Sequence, residues 1–332
     1  MERNIWLDGM MGVVVGDALG CPVQFMSREE IAGRAAGPVT GMESGGVYQM
    51  LEGTWTDDSS MALAALDSIR KLGKVDLEDI MENFVAWYEE GEYTPFGEAF
   101  DIGNTCSLAI EKYEREHDPL NCGGTAERSN GNGSLMRIMP ASLYAYDRKL
   151  SAADAVKTVH EVGGLTHGHL RSKIACGLYY FCVKAILDGK GSLNDRLQKG
   201  LAEGFAFYEM DLANRVELSY YGRVKELEEF RTVPVEKIKS TGYVVDSLEA
   251  AIWSLVRTES FKDCLLMAVN LGDDTDTIGA IAGGMASLYY GYDGIPEEWL
   301  AVIQRREWIE GMFYDLDREI SNQGSMEVGE NV

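Results

Sequence analysis

The stretch Asn270-Leu271-Gly272-Asp273-Asp274-Thr275-Asp276-Thr277-Ile278-Gly279 places three carboxylates within four residues. The residues that follow, 278–291, are mostly small, so they predict a helix that is stable only when it is packed tightly among others. A second acidic stretch, Thr54-Trp55-Thr56-Asp57-Asp58-Ser59-Ser60, occurs far earlier in the chain. We name these stretches the C-terminal knot and the N-terminal knot, and we expect them to meet in space and to hold metal.

The first helix that the sequence predicts, residues 8–20, carries Gly12, Gly16 and Gly20 at intervals of four. Each interior glycine costs about 1 kcal/mol relative to alanine. Three glycines on one face of a helix therefore indicate the close approach of another backbone.

Apolar residues recur at helical spacing along the rest of the chain and do not alternate with the period of two that marks a strand. Further helices are predicted around 57–71, 77–90, 108–113, 169–187, 192–209, 212–230 and 246–257, and one more begins at Ser151. The sequence therefore predicts an all-α protein, a compact multi-helix bundle. Residues 1–320 are expected to form a single domain, and residues 321–332 a disordered tail.

Composition narrows the class of protein. With 54 Asp and Glu against 30 Lys and Arg in 332 residues, the formal net charge is −24, which argues against general nucleic-acid binding. Six cysteines lack the spacing of a metal or disulfide motif, so we expect reduced core residues. No apolar run was found that approaches the roughly 18 residues of a membrane span. These features predict a cytoplasmic protein that binds no membrane, and the absence of a coiled-coil pattern favours a monomer.

The carboxylates of both knots stand at the mouths of predicted helices, where free N–H groups stabilise negative charge. Two unrelated capped helices would account for each knot alone. Burying several carboxylates without a counter-charge is costly, and neither knot has a Lys or Arg close to it in the sequence. Oxygen ligands from Asp and Thr favour Mg²⁺, Mn²⁺ or Ca²⁺ over zinc, and four or more carboxylates could hold two ions.

Three loops that contain glycine add candidate binding groups. In residues 129–137 the glycines let backbone N–H groups approach an anion, and a simple turn is the alternative interpretation. His167 and His169, two of the four histidines, flank a glycine and are either structural or functional. Tyr243 could stack on a base or pack in the core.

The order of these blocks along the chain carries further information. Between the two knots and before them stand Gly16-Asp17-Ala18-Leu19-Gly20, Asn130-Gly131-Asn132-Gly133-Ser134-Leu135-Met136-Arg137 and Leu165-Thr166-His167. Together with the knots, they resemble the ADP-ribosylglycohydrolase family, typified by the dinitrogenase-reductase-activating glycohydrolase. The match covers roughly residues 8–292, and the pair of knots is its most specific part.

The resemblance implies an enzyme that cleaves the N- or O-glycosidic bond between ADP-ribose and a modified protein side chain, with arginine expected, or a small ADP-ribosyl substrate. It also implies a binuclear Mg²⁺ or Mn²⁺ centre that holds the ribose hydroxyls beside the scissile anomeric carbon. By motif match, the metal ligands would be Thr56, Asp57, Asp58, Asp274, Asp276 and Thr277. Asn132, Gly133 and Ser134 would cradle the diphosphate, His167 would contact ADP-ribose, and Tyr243 would stack on adenine.

The same resemblance assigns the chemistry. A glycosidic bond at the anomeric carbon breaks through an oxocarbenium-like state. Metal ions orient the ribose and polarise a water, and a carboxylate removes the proton of that water. Asp58 is placed among the catalytic residues, and Asp101 matches an acidic family position that could act as the base.

Two residues depart from the family pattern. Gln24, in Pro22-Val23-Gln24-Phe25, stands where the family commonly carries Glu, and a neutral amide cannot act as a base. If that Glu is needed, Gln24 predicts slower turnover, an altered linkage preference or a catalytically weak ADP-ribose-binding module. Asp273 stands where the family often has Gly, and we do not expect it to be a ligand.

A prenyl-diphosphate enzyme would also combine helices, Asp-rich motifs and Mg²⁺. Its motifs place carboxylates one helical turn apart, in the form Asp-Asp-x-x-Asp. Neither knot matches that form, so the sequence disfavours this class.

Overall fold

The computed structural model describes residues 3–313, and within that range the chain is helical without a β-strand. The prediction of an all-α protein is confirmed, whereas the predicted tail at 321–332 lies outside the described residues. A final helical stretch occupies 306–313. The preceding helices are α1 (Ile5–Gly20), α2 (Arg28–Gly33), α3 (Asp57–Leu72), α4 (Leu77–Glu90), α5 (Asn104–Glu116), α6 (Met139–Asp147), α7 (Ala152–Gly164), α8 (Leu170–Asp188), α9 (Leu193–Glu209), α10 (Arg215–Ser219), α11 (Leu227–Phe230), α12 (Val244–Val256), α13 (Phe261–Val269), α14 (Thr275–Tyr290) and α15 (Glu297–Leu300).

The core is organised by α1 and α14, whose backbones touch. A Cβ atom at Gly16 would lie 2.0 Å from the carbonyl oxygen of Gly279, and a Cβ atom at Gly12 would lie 2.2 Å from that of Gly283. Only hydrogen fits between the helices at these points. The predicted approach of a second backbone is confirmed, and it brings the end of α1 to the start of α14.

The remaining helices surround this pair. Helices α3 and α6 pack against α1, and α12 and α13 pack against α14, which leaves α1 and α14 in the interior. The segment Ile5–Val23 is long and apolar enough to cross a membrane by composition alone, which corrects the expectation that no such run exists. Its most apolar window is 89% buried inside the protein, as in the central helix of a folded core.

The predicted charged helix over 212–230 is wrong as a single element. The chain instead forms α10 and α11 with short 3₁₀ helices before and between them, Leu212–Asn214 and Gly222–Val224. An α-helix turns by about 100° per residue, so side chains spaced by three drift off one face. Repeated breaks bury all the apolar residues that occur at that spacing: Leu218, Tyr221, Val224, Leu227 and Phe230.

The connections also contain ordered features that the site uses. Isolated backbone bridges join Gly45 to Met50, Gly124 to His167 and Gly131 to Tyr243. The six cysteines are free and buried, as predicted.

Candidate metal centre and substrate cleft

The N-terminal knot is held by a carboxylate from another helix. Thr56 occupies the N-cap position of α3 but makes no capping bond with its own side chain. Asp17 of α1 accepts hydrogen bonds from the N–H groups of Thr56 and Ser59, at 2.9 and 3.0 Å, and from both hydroxyl groups, at 2.9 and 2.6 Å. Burial raises the pKa of the Asp17 carboxyl to about 6, although these hydrogen bonds lower it. Asp17 therefore supplies the helix cap that the knot lacks.

Sequence reasoning missed this role of Asp17. The residue was noticed only as part of the block Gly16-Asp17-Ala18-Leu19-Gly20. A usable signal was present, because an acidic residue in the middle of a largely apolar helix is expected to be buried and to need hydrogen-bond donors from a neighbouring element. Its partners on α3 could not be read from the sequence.

Two carboxylate oxygens at the heart of the site lack a hydrogen-bond partner. These atoms are Asp58 Oδ1 and Asp276 Oδ1, and both residues are nearly inaccessible to solvent. One oxygen of each lies within 4.8 Å of an oxygen of Asp17 and of the other. Since four donors already occupy Asp17, the vacant acceptor positions belong to Asp58 and Asp276.

The electrostatics of these carboxyl groups follow from burial. Burial raises the pKa of Asp57, Asp58 and Asp276 well above the ordinary range, and neighbouring carboxylates raise it further. An unpaired buried carboxylate is costly, and a bound divalent cation removes that cost. The donors present, oxygen atoms with unused lone pairs, fit a hard cation such as Mg²⁺ or Mn²⁺.

The C-terminal knot begins α14 in a similar way. Asp274 stands at the N-cap position, and its N–H donates to Ser240 O at 2.9 Å. Asn132 Nδ2 donates to Asp274 Oδ2 at 2.6 Å and to Ser247 Oγ at 2.9 Å. Burial raises the pKa of the Asp274 carboxyl, although the hydrogen bond from Asn132 lowers it. The side chain of Asn132 thus supports the knot, and its predicted contact with diphosphate stays a prediction.

Asp273 has a structural role. It adopts a φ of 58°, in the left-handed region, which explains why Gly suits this position. Its N–H donates to Met26 O, and its carbonyl accepts from Phe25 N, both at 2.7 Å. The residue therefore ties the C-terminal knot to the segment that carries Gln24.

One cleft of about 400 Å³ brings together most of the predicted site residues. The knots and the loops meet there, as expected from the motif order. Thr56, Ser134 and Tyr243 are predicted site residues that do not line it. The predicted residues that do line it are Gln24, Asp57, Asp58, Asp101, Asn132, Gly133, His167, Asp274, Asp276 and Thr277.

The loop of residues 129–137, which we name the glycine loop, presents backbone to the cleft. Within residues 3–313, the N–H groups of Gly133 and Ser134 donate no hydrogen bond to another protein group. The Ser134 side chain faces the core, where Cys176 Sγ lies 3.7 Å from its Oγ. Any contact of Ser134 with a ligand in the cleft would therefore use its backbone.

His167 is a buried, neutral ring beside that loop. Burial, with the nearby cation of Arg137, lowers the pKa of His167 to about 3. Its Nδ1 lies 2.8 Å from Thr166 Oγ1, which accepts from Arg137 at 2.7 Å. A Cβ atom at Gly133 would lie 2.8 Å from His167 Cε1, so the glycine is needed for the ring to reach the cleft.

Tyr243 lies outside the cleft lining. Arg171 donates to the Tyr243 hydroxyl at 3.1 Å and also bonds Glu127 and Glu217. The guanidinium carbon of Arg171 lies 3.6 Å from the ring centroid of Tyr220. The backbone of Tyr243 nevertheless pairs with Gly131, so the residue stands directly beside the glycine loop.

Asp101 is another residue of the cleft lining, and two side chains hold its carboxylate. Gln24 Nε2 donates to one carboxylate oxygen and the Tyr48 hydroxyl donates to the other, both at 2.8 Å. Asp101 adopts a φ of 58°, a strained conformation for a residue with a side chain. Sequence reasoning did not find Tyr48, because it stands in a long loop whose path depends on tertiary contacts.

Comparison with known proteins agrees with the geometry. A family model described as ADP-ribosylglycohydrolase matches residues 3–325. The chain is 33% identical to an ADP-ribosylarginine hydrolase of Serratia proteamaculans (strain 568), covering 93% of this chain and 79% of that protein. It is 32% identical to an ADP-ribosyl-[dinitrogen reductase] glycohydrolase of Rhodospirillum rubrum, covering 96% and 93%.

A solved structure gives the same result. The match is titled an ADP-ribosylglycohydrolase-related protein complex, with a TM-score of 0.75 and 30% identity. It covers 96% of this chain and 98% of that chain. The resemblance found in the sequence is therefore confirmed, and this chain belongs to the ADP-ribosylglycohydrolase family.

Proposed function

We propose that this protein is a metal-dependent hydrolase that removes ADP-ribose from a modified protein side chain, with arginine as the leaving group. Glycohydrolase activity follows from the family. The observation that carries the metal-dependent site is the pair of buried knots, whose Asp58 and Asp276 each retain an oxygen without a partner at the floor of the cleft. The relatives named ADP-ribosylarginine hydrolase and ADP-ribosyl-[dinitrogen reductase] glycohydrolase support the choice of a protein substrate with arginine.

The proposed centre holds two Mg²⁺ or Mn²⁺ ions between α3 and α14. The proposed ligands come from both knots, in keeping with two ions bound by oxygen donors alone. When bound, such ions would supply Lewis-acid stabilisation of the ribose oxygens. The proposed ligand set is Thr56, Asp57, Asp58, Asp274, Asp276 and Thr277.

The two walls of the cleft suit the two parts of the substrate. On one wall, the unused N–H group of Gly133 can bind an anion, and neutral His167 adds a polar ring without repelling a cation. We assign the diphosphate to this wall. Tyr243, adjacent to the glycine loop, would reach adenine if its ring leaves Arg171.

On the other wall, Asp101 is placed to act as the base. Cleavage at the anomeric carbon develops positive charge on the ribose, which the surrounding carboxylates stabilise. Asp101 would accept the proton of the attacking water, while Gln24 and Tyr48 keep its carboxylate oriented. Gln24 in this scheme is a positioning residue and transfers no proton.

An alternative is a catalytically weak module that binds ADP-ribose. Gln24 favours it, because the family commonly carries Glu at this position. The two functions differ in turnover. They also differ in the effect of Gln24→Glu, which should restore turnover only to the weak module.

The net charge of −24 and the six free cysteines support action in the cytoplasm. We propose that the protein acts there as a monomer on ADP-ribosylated proteins, without binding membranes or nucleic acid.

The test is to incubate the protein with ADP-ribosylated arginine, in Mg²⁺ or Mn²⁺ and in chelator, and to quantify free ADP-ribose. We expect release that depends on the metal. Absence of release from arginine-, serine- and nucleotide-linked substrates would contradict the hydrolase, whereas calorimetric binding of ADP-ribose without release would support the module.

A further inference from the structure

Four aromatic side chains, which we name the collar, lie in or next to the cleft lining: Phe25, Tyr48, Phe96 and Phe100. The rings of Tyr48 and Phe100 meet edge to face with centroids 5.3 Å apart, and those of Phe96 and Phe100 stack at 5.4 Å. Phe25 and Tyr48 line the cleft itself. Phe25 is 62% exposed and Phe96 is 51% exposed, so the collar is open to solvent at these two rings.

Phe25 is held in a conformation that a bulky residue rarely adopts. Its φ is 66°, in the left-handed region. Two backbone hydrogen bonds to Asp273, both 2.7 Å, fix that conformation. An exposed phenyl group contributes little to the core, so neither burial nor backbone preference accounts for this ring. The position of the Phe25 ring in the cleft lining accounts for it.

Phe25, Tyr48 and Asp101 form a part of the cleft lining that the proposed diphosphate contacts do not use. Gly133 and His167, proposed to contact the diphosphate, line the cleft with Asn132 and Gly242. Tyr48 bonds Asp101, and Phe25 is tied to Asp273 of the C-terminal knot. A ribose held at the knots, with its diphosphate on Gly133, leaves this part of the lining for the group on the anomeric carbon.

Aromatic faces beside carboxylates form a site for a cation. Tyr48 contacts Asp101 directly, and Asp57 lines the same cleft. A guanidinium group is planar and weakly hydrated, so it can stack on a ring while it donates to a carboxylate. The serine oxygen of an O-glycosidic bond carries no hydrogen to donate, and serine has no planar cation to stack.

We propose that the collar and Asp101 form the subsite for the leaving group, and that this subsite selects the guanidinium of arginine over the hydroxyl of serine. The proposal rests on the proposed function for the placement of the ribose. Phe25 supplies the stacking surface, and Asp101 accepts hydrogen bonds from the departing guanidine.

The experiment compares wild type with Phe25→Ala, Phe25→Leu and Phe25→Tyr, and with Leu212→Ala as the control for an exposed apolar residue outside the cleft lining. Leu212 is 68% exposed on the 3₁₀ helix Leu212–Asn214. The first readout is kcat/KM for small ADP-ribosyl-arginine and ADP-ribosyl-serine substrates. We expect Phe25→Ala and Phe25→Leu to reduce the arginine-to-serine ratio roughly three- to thirtyfold, Phe25→Tyr to retain it, and Leu212→Ala to leave it unchanged.

An equal loss on both substrates would overturn the collar as a specificity site. A loss on ADP-ribosylated protein without a loss on small ADP-ribosyl-arginine would overturn it too, and would assign the rings to protein docking. If Phe25→Leu kept the arginine-to-serine ratio of wild type, the Phe25 ring would have no cation-binding role.

A second readout separates this proposal from the proposed function. Binding of arginine methyl ester and of its neutral isostere, citrulline methyl ester, is measured by NMR in the presence of ADP-ribose and Mg²⁺. We expect the arginine ester alone to bind, and Phe25→Ala to abolish this preference. If wild type hydrolyses nothing but shows the preference, the subsite stands and the hydrolase fails. If neither ester binds selectively, the subsite fails whatever the turnover.

Discussion

The two halves of the candidate site are built by different means. The knots stand on the first turns of α3 and α14, and Asp17 of α1 holds one of them. The other half, which is the cleft lining around Asp101 and Phe25, depends on loops, and these two residues have φ values of 58° and 66°. Helices that touch through glycine fix the groups that would hold cations. Loops carry the groups that would meet a variable leaving group, and loops can change without altering the packing of the core.

The largest expected effect comes from breaking the helix pair that carries the knots. In Gly16→Ala the new Cβ would lie 2.0 Å from the Gly279 carbonyl oxygen, a clash between backbone and side chain that no rotamer relieves. We expect the free energy of unfolding to fall by about 3 kcal/mol or more in urea denaturation. Gly33→Ala is the control, since nothing lies within 4 Å of its Cβ position. Equal stability of the two variants would contradict the close contact.

A second prediction concerns Asp276→Asn. The change removes a buried charge that lacks a hydrogen-bond partner on one oxygen. We expect loss of Mn²⁺ binding in calorimetry together with loss of turnover. In metal-free protein the same change should raise the free energy of unfolding by about 1 kcal/mol or more, because the uncompensated charge is gone. A metal-free variant less stable than metal-free wild type would contradict this electrostatic picture.

Asp17→Asn tests how firmly the helix-borne half of the site, which is the two knots on α3 and α14, is positioned. The amide retains one acceptor but places an N–H₂ group against donors of Thr56 and Ser59. We expect a loss of about 1–2 kcal/mol in stability, as for a lost helix cap, and a 10- to 100-fold loss of Mn²⁺ affinity. Asp154→Asn, an exposed first-turn carboxylate of α7, should leave Mn²⁺ affinity unchanged.

The dependence of stability on pH follows from the raised pKa values of Asp57, Asp58 and Asp276. A carboxyl whose pKa is higher in the folded state binds its proton there more tightly than in the unfolded chain. Metal-free protein therefore loses stability as pH rises above about 4, until the raised pKa values are passed. Bound cations require the deprotonated form and reverse this loss.

We therefore expect Mn²⁺ to raise the melting temperature more at about pH 8 than at about pH 5.5. Differential scanning fluorimetry with and without Mn²⁺ measures the difference. Burial raises the pKa of Glu249 to about 7, and its effect cancels in that comparison because it lies outside the cleft lining. A stabilisation that is equal at both pH values would count against titration of the knots.

The smallest change in turnover is expected for Gln24→Glu, in the loop-borne half of the site, which is the part around Asp101 and Phe25. The new carboxylate would stand where Nε2 now lies 2.8 Å from Asp101, so the two groups would share one proton. Turnover should change by less than tenfold, well short of the about 10²–10⁴-fold gain expected from a newly supplied general base. A gain of that size would favour the weak binding module and remove the positioning role of Gln24.

The helix-borne half could largely be predicted from the sequence, because its determinants are local. Glycines at intervals of four predicted that another backbone approaches α1, and the small residues after the C-terminal knot predicted a helix packed tightly among others. The order of the motifs then brought the two knots together. Their assignment as metal ligands stays a prediction.

The loop-borne half could not be predicted in the same way. Tyr48 reaches Asp101 across 53 residues, and Gln24 reaches it across 77. No periodicity encodes such contacts, because they depend on how long loops cross the surface of the bundle. The side chains of Ser134 and Tyr243 illustrate the same limit, since motif position alone did not reveal that Ser134 Oγ lies beside Cys176 or that the Tyr243 hydroxyl bonds Arg171.

The division of the site is tested most directly by Mn²⁺ binding and turnover measured together on Asp101→Asn and Asp58→Asn. If α3 and α14 hold the cations while Asp101 serves the chemistry, Asp101→Asn will bind Mn²⁺ like wild type and lose turnover by about 10²–10⁴-fold, whereas Asp58→Asn will lose both. Loss of Mn²⁺ binding in Asp101→Asn, or full turnover in either variant, would contradict that division.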